Sequence, residues 1–134
     1  MSSIRRLAVA AVTVSLVALG GLVAATPASA ATSDCPAAYS CGWRDYNYVS
    51  GSSGARNIRF EYSIDWLGNY AWSDTGATVN DSVSSLYNNG NISTAVWYQD
   101  IRFSGNSVTL PRQYGNPDLR VNGFNDKASS GTFI

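Results

Sequence analysis

Asn80-Asp81-Ser82-Val83-Ser84-Ser85 returns 45 residues later as Asn125-Asp126-Lys127-Ala128-Ser129-Ser130, and this recurrence divides the chain into two related halves. Upstream of each hexapeptide lies an aromatic strand and turn. It reads Trp43-Arg44-Asp45-Tyr46-Asn47-Tyr48 in the first half and Tyr98-Gln99-Asp100-Ile101-Arg102-Phe103-Ser104-Gly105 in the second. These elements are offset by 55 rather than 45, which puts ten additional residues in the first half between Tyr48 and Asn80, with Tyr62 to Val79 as the natural location of most of them. Each half then reads as a strand, a tight aromatic hairpin, a second strand (Asn57 to Glu61; Ser107 to Leu110), an irregular connection, the Asn-Asp turn and a closing strand. Four strands per half predict a Greek key. Between the halves, Tyr87-Asn88-Asn89-Gly90-Asn91 is a turn signal, because Asn and Gly tolerate the positive φ of tight reversals.

The composition agrees with an all-β chain. All 16 aromatic residues lie after residue 30, among abundant Gly, Asn and Ser and without helix-favouring blocks. Residues 1–30 read as a removable signal peptide. Arg5-Arg6 forms the basic start, Leu7 to Val23 the apolar run, and Thr26-Pro27-Ala28-Ser29-Ala30 a small-residue site with cleavage after Ala30. The apolar run is at the short end of a membrane span, so the expected product, residues 31–134, is secreted, extracellular and free of the membrane. It has room for one domain and a modest core. Seven basic against nine acidic residues, with no runs of either sign, make nucleic acid a poor partner.

Cys35 and Cys41 are the only cysteines, and in an exported chain they are expected to pair. Their spacing is not the C-x-x-C of redox sites. Histidine is absent, which removes the usual general base, nucleophile activator and commonest zinc ligand. Lys127 is the only lysine and the acids are scattered singly, so neither a Ser-Lys pair nor a carboxylate pair is offered. The chain is not expected to be an enzyme.

Aromatic-x4-aromatic-x-Gly followed by Asn/Asp-Asn/Asp-x-x-Ser/Thr-Ser resembles the βγ-crystallin Greek-key motif. Tyr98, Phe103 and Gly105 match every position of the second copy, whereas Ser50 stands where the first copy needs glycine and Gly51 follows it, predicting a one-residue bulge or slip. The resemblance implies a βγ-crystallin-like sandwich of two Greek keys, about 35–88 and 95–134, with one N-terminal disulfide. Cys-Pro-Ala-Ala-Tyr-Ser-Cys-Gly-Trp at residues 35–43 and Asn-Asp-Lys-Ala-Ser-Ser at 125–130 look more narrowly like secreted actinobacterial peptidase inhibitors of family 36. That resemblance implies an inhibitor whose partner is a secreted peptidase, a metalloenzyme; the chain is expected to act as a monomer.

Two sites are candidates. The hexapeptides offer amides (Asn80, Asn125), carboxylates (Asp81, Asp126) and hydroxyls (Ser84, Ser85, Ser129, Ser130) to a calcium ion, which wants six to eight oxygens. In calcium-binding crystallins such loops cross, which implies pairing Asp81 with Ser129 and Asp126 with Ser84. The alternative is metal-free bracing by Asx turns and serine-to-backbone bonds. Lys127 argues slightly against a cation in its loop. The insertion carries Ile64, Trp66 and Leu67, which would suit the apolar pocket of a thermolysin-like peptidase, although Trp66 and Trp72 also read as core. The inhibitory loop itself stays unassigned, because the second disulfide that braces it in the better-described inhibitors is absent. Tyr39, Tyr46, Tyr70 and Tyr114 would make an aromatic sugar platform if they converged. A toxin-like module acting on microbial competitors is a further alternative.

Overall fold

The computed structural model describes residues 34–49 and 57–134. The expected signal peptide and the expected slip at Ser50-Gly51 lie outside the described residues. Strands β1 (Ser40–Trp43), β2 (Ile58–Phe60), β3 (Ser63–Ile64) and β4 (Ser85–Asn88) belong to the first half. Strands β5 (Ala95–Asp100), β6 (Ser104–Leu110), β7 (Gly115–Asn116) and β8 (Ser130–Phe133) belong to the second. They form two antiparallel sheets, β2-β1-β4-β7 and β3-β8-β5-β6. Each half lends its third strand to the other's sheet, β3 pairing with β8 and β7 with β4. A continuous core of Phe60, Leu67, Trp72, Leu86, Trp97, Leu119 and Phe124 fills the space between the sheets. Trp97 reaches across this space and donates from Nε1 to the buried Ser40 Oγ of the opposite sheet at 2.9 Å.

The hairpins fold back because two residues in each take positive φ: Asn47 and Tyr48 (57° and 61°), Arg102 and Phe103 (56° and 59°). Aromatic side chains disfavour that region, so something must hold them there. The last serine of each hexapeptide does. Ser85 Oγ donates to Asp45 O at 2.7 Å and accepts from Tyr48 N at 3.1 Å. Ser130 Oγ donates to Asp100 O at 2.6 Å and accepts from Phe103 N at 3.0 Å. Ser85 and Ser130 therefore serve as hairpin clamps, with their hydroxyls already engaged, and not as the free cation donors the sequence suggested.

The insertion follows a 3₁₀ turn at Leu67–Asn69, whose counterpart in the second half is Leu119–Asn122. From Leu67 to Asn80 the chain is seven residues longer than from Leu119 to Asn125. The extra length is a small loop closed by an Ala71–Thr78 bridge. The Arg44 guanidinium ties it to the first hairpin by a two-pronged bond to Asp74, at 2.8 and 3.1 Å. Cys35 and Cys41 are joined, Cα atoms 5.8 Å apart, and pack with Trp43 and Tyr48 in a satellite cluster.

Ser85→Ala and Ser130→Ala each strip an amide and a carbonyl of their hairpin of a partner, at an expected cost of about 1 to 3 kcal/mol for Ser85, whose bond from Tyr48 N is buried, and about 1 kcal/mol for Ser130, whose bonds are partly exposed. On a domain of this size each kilocalorie lowers the melting temperature by about 4 to 8 °C, so thermal unfolding followed by circular dichroism checks this directly.

Candidate functional site

The two Asn-Asp loops meet across the pseudo-two-fold axis. Asp81 and Asp126 both take positive φ, 56° and 54°, a conformation that Asp tolerates better than most residues. Each is fixed by donating its amide to the opposite loop: Asp81 N to Ala128 O and Asp126 N to Val83 O, both at 3.1 Å. The carboxylates cross in the same sense. Ser129 Oγ donates to Asp81 Oδ1 at 3.3 Å, and the Ser84 hydroxyl donates to the Asp126 carboxylate. Beside each carboxylate, the preceding asparagine donates from Nδ2, Asn80 to Asp81 Oδ2 at 2.7 Å and Asn125 to Asp126 Oδ2 at 2.6 Å. That leaves Asn80 Oδ1 and Asn125 Oδ1 buried without a donor.

Burial, together with the negative charge of Asp81 nearby, holds the Asp126 carboxyl above its ordinary value, partly offset by the Ser84 hydroxyl. Lys127 does not relieve this repulsion directly, because its Nζ donates to Gly123 O at 2.7 Å within its own loop. An open depression of about 370 Å³ lies here, lined by Asp81, Gln99, Asp100, Asp126, Lys127 and Ser129. A larger one, about 510 Å³, runs along residues 61–63 and 90–93 and holds none of the candidate residues.

The other candidates separate. Ile64 and Leu67 are packed in the core, 5% and 0% exposed, so neither side chain is available to a peptidase pocket. Trp66 is half exposed while Trp72 is buried, its Nε1 donating to Ser82 Oγ at 2.8 Å, so only one of the two tryptophans fills the core. The four tyrosines do not form one platform. Tyr39 lies beside Arg59, Tyr46 stacks under Arg120, Tyr70 sits at the insertion beside Ala71 and Trp72, and Tyr114 is exposed in the turn before β7. The Tyr46 contact, with the Arg120 guanidinium 3.8 Å from the ring and paired to Asp118, left no sequence signal beyond two charges two residues apart.

A raised folded-state value means the native state holds its proton more tightly than the unfolded chain. Its stabilisation is complete below the ordinary value of 3.8 and is lost as the pH climbs through the folded value. Asp126→Asn is therefore expected to raise the melting temperature in chelator at neutral pH and to flatten its decline on leaving acid. Melting curves across that range check it.

Solved structures share this architecture. One, from work on the evolution of the eye lens βγ-crystallin domain fold, is 23% identical over 74% of this chain and 88% of its own, with a TM-score of 0.60. A βγ-crystallin from Ciona intestinalis is 23% identical over 72% of this chain and 99% of its own, TM-score 0.55, and one from an archaeon is 18% identical over 74% and 100%, TM-score 0.53. At these identities the likeness establishes the fold alone, the all-β βγ-crystallin fold. No curated protein matches the chain. The family model for peptidase inhibitor family I36 matches residues 28–110, most of the fold described above, and the chain belongs to that family of inhibitors rather than to any family of enzymes.

Proposed function

We propose that the protein is exported and inhibits a peptidase, with a metalloproteinase as its target, by setting a rigid β scaffold into the enzyme's cleft as a monomer. Membership of peptidase inhibitor family I36 carries this reading. The fold supports it physically: a domain whose halves are interlocked and whose N-terminal arm is held by a disulfide loses little conformational freedom on binding, so more of the contact energy appears as affinity. Among the described residues no helix is long and apolar enough to cross a membrane. Titration of residues 31–134 against thermolysin-like and subtilisin-like enzymes is expected to abolish activity of the former at stoichiometric excess. Undiminished activity of every enzyme tested would count against the reading.

A second reading, a calcium-stabilised structural, binding or toxin-like module without inhibitory action, is favoured by the facing acidic loops. Their donors fit the ion: two carboxylates, the Ser84 and Ser129 hydroxyls, and two buried asparagine oxygens that lack a partner, all oxygen. Asp81 and Ser129 would hold one ion, Asp126 and Ser84 the other, with Asn80 and Asn125 beside them. The ion would supply the positive charge these carboxylates lack. With about one carboxylate each, such sites suit millimolar extracellular calcium. Millimolar calcium is expected to raise the melting temperature relative to chelator, and Asp81→Ala or Asp126→Ala to shrink that rise. Identical melting curves in both buffers would remove this reading.

A further inference from the structure

Strand β6 is the outermost strand of its sheet, and seven residues make it the longest strand in the described structure. Which of its main-chain groups are free follows from the neighbouring ladder. Thr94 and Ile134 exchange hydrogen bonds at 3.3 and 2.9 Å, so Thr94, Val96 and Tyr98 face β8, and Ala95 and Trp97 face β6. Ala95 and Trp97 lie opposite Leu110 and Val108, which leaves the N–H and C=O of Ser107 and Thr109 directed away from the sheet. Both residues are exposed.

Natural sheets blunt such an edge with charge, proline or shortness. The equivalent edge strand of the other half, β2, is only three residues long and has Arg59 at its centre. β6 reads Ser-Gly-Asn-Ser-Val-Thr-Leu and carries no charge and no proline. The two halves also differ at the corner where their edge strands begin. In the first half, Tyr46 is covered by Arg120. In the second half, Ile101 stands at the position of Tyr46, and the loop at Asp65 is drawn to it by the bond from Arg102 N to Asp65 O at 2.9 Å. Among the described residues no charged side chain is stacked over Ile101 as Arg120 is over Tyr46, and Trp66, Ile101 and Phe103 are 46%, 46% and 38% exposed. The Trp66 ring lies against Gly68, where a Cβ would fall 2.3 Å from it, so the indole is set in place by the turn beneath.

We propose that the free edge of β6, together with the apolar corner Trp66, Ile101 and Phe103 at its start, is the surface that docks the target peptidase, which adds an edge strand of its own substrate cleft to this sheet. The proposal rests on the inhibitor reading above. A peptidase must hold its polypeptide substrates extended, so its cleft carries main-chain donors and acceptors of the kind that pair with such an edge. The uncharged strand accepts them without stripping water from an ion, and the corner offers an apolar anchor at one end.

The test compares inhibition constants of the chain from Ala31 onward with those of Ser107→Pro, Ser107→Lys, Trp66→Ala and Arg120→Ala, using a peptidase that the unmodified protein inhibits. Proline at 107 removes an outward N–H and spares the ladder to β5; lysine leaves the main chain intact and places a charge on the edge. Circular dichroism verifies the fold of each. Both Ser107 variants and Trp66→Ala are expected to weaken inhibition by about tenfold or more, and Arg120→Ala, at the opposite corner, to leave it unchanged. Hydrogen exchange in the complex should slow at the Ser107 and Thr109 amides while Val108 and Leu110, already paired, stay as they were. Full inhibition by folded Ser107 variants would overturn the docking edge and leave the inhibitor reading standing. Concentration-dependent protection of Ser107 without enzyme would assign the edge to self-association and overturn it as well. An unmodified protein that inhibits no peptidase would overturn both.

Discussion

Two amides given away across the axis, Asp81 N to Ala128 O and Asp126 N to Val83 O, hold this domain in register. Each comes from a residue in a left-handed conformation, so each loop keeps its shape only while the other is present. The exchange of β3 and β7 between sheets repeats the dependence at the level of strands. Neither half can complete its own sheet, and the core residues Leu86 and Trp97 come from opposite halves. The described residues, 34–49 and 57–134, make a small domain, and a small domain buries a lower fraction of its surface on folding than a large one. Reciprocal interlocking is a way to obtain a rigid fold from so little buried surface.

Much of this was legible in the repeated hexapeptide. The offsets of 45 and 55 place the aromatic hairpins, the Asn-Asp loops and the longer first connection where the structure has them, because turns and clamps depend on a few residue types at fixed spacing. The pairing of Cys35 with Cys41 follows equally from their number and closeness. What failed was the reading of single apolar residues. Ile64, Trp66 and Leu67 stand within four positions of one another, yet only Trp66 reaches the surface, since the 3₁₀ turn at Leu67–Asn69 drives Leu67 inward beneath it. Side-chain direction in an irregular segment has no period from which to be read. The serines of each hexapeptide likewise look alike in sequence but divide the work: Ser84 and Ser129 turn to the opposing carboxylate, while Ser85 and Ser130 clamp their own hairpins.

The pseudo-symmetry also locates what is individual to this chain. Where Arg120 of the second half covers Tyr46 in the first-half hairpin and the edge strand of that sheet is the short β2, the second half presents a long neutral strand with Ile101 and Phe103 exposed at its start and Trp66 of the first half exposed as well. Duplicated elements would be equally well protected if solubility were the only demand on them. The unequal treatment directs attention to the second half as the side that meets a partner, and the family of inhibitors to which the chain belongs gives that partner its class.

Native-state hydrogen exchange tests the interlock most directly. If each loop exists only through the other, the amides of Asp81, Ser84, Asp126 and Ser129 must exchange through a single opening, with one free energy equal to that of global unfolding. Separate values, with the amides of one half released while those of the other remain protected, would contradict it.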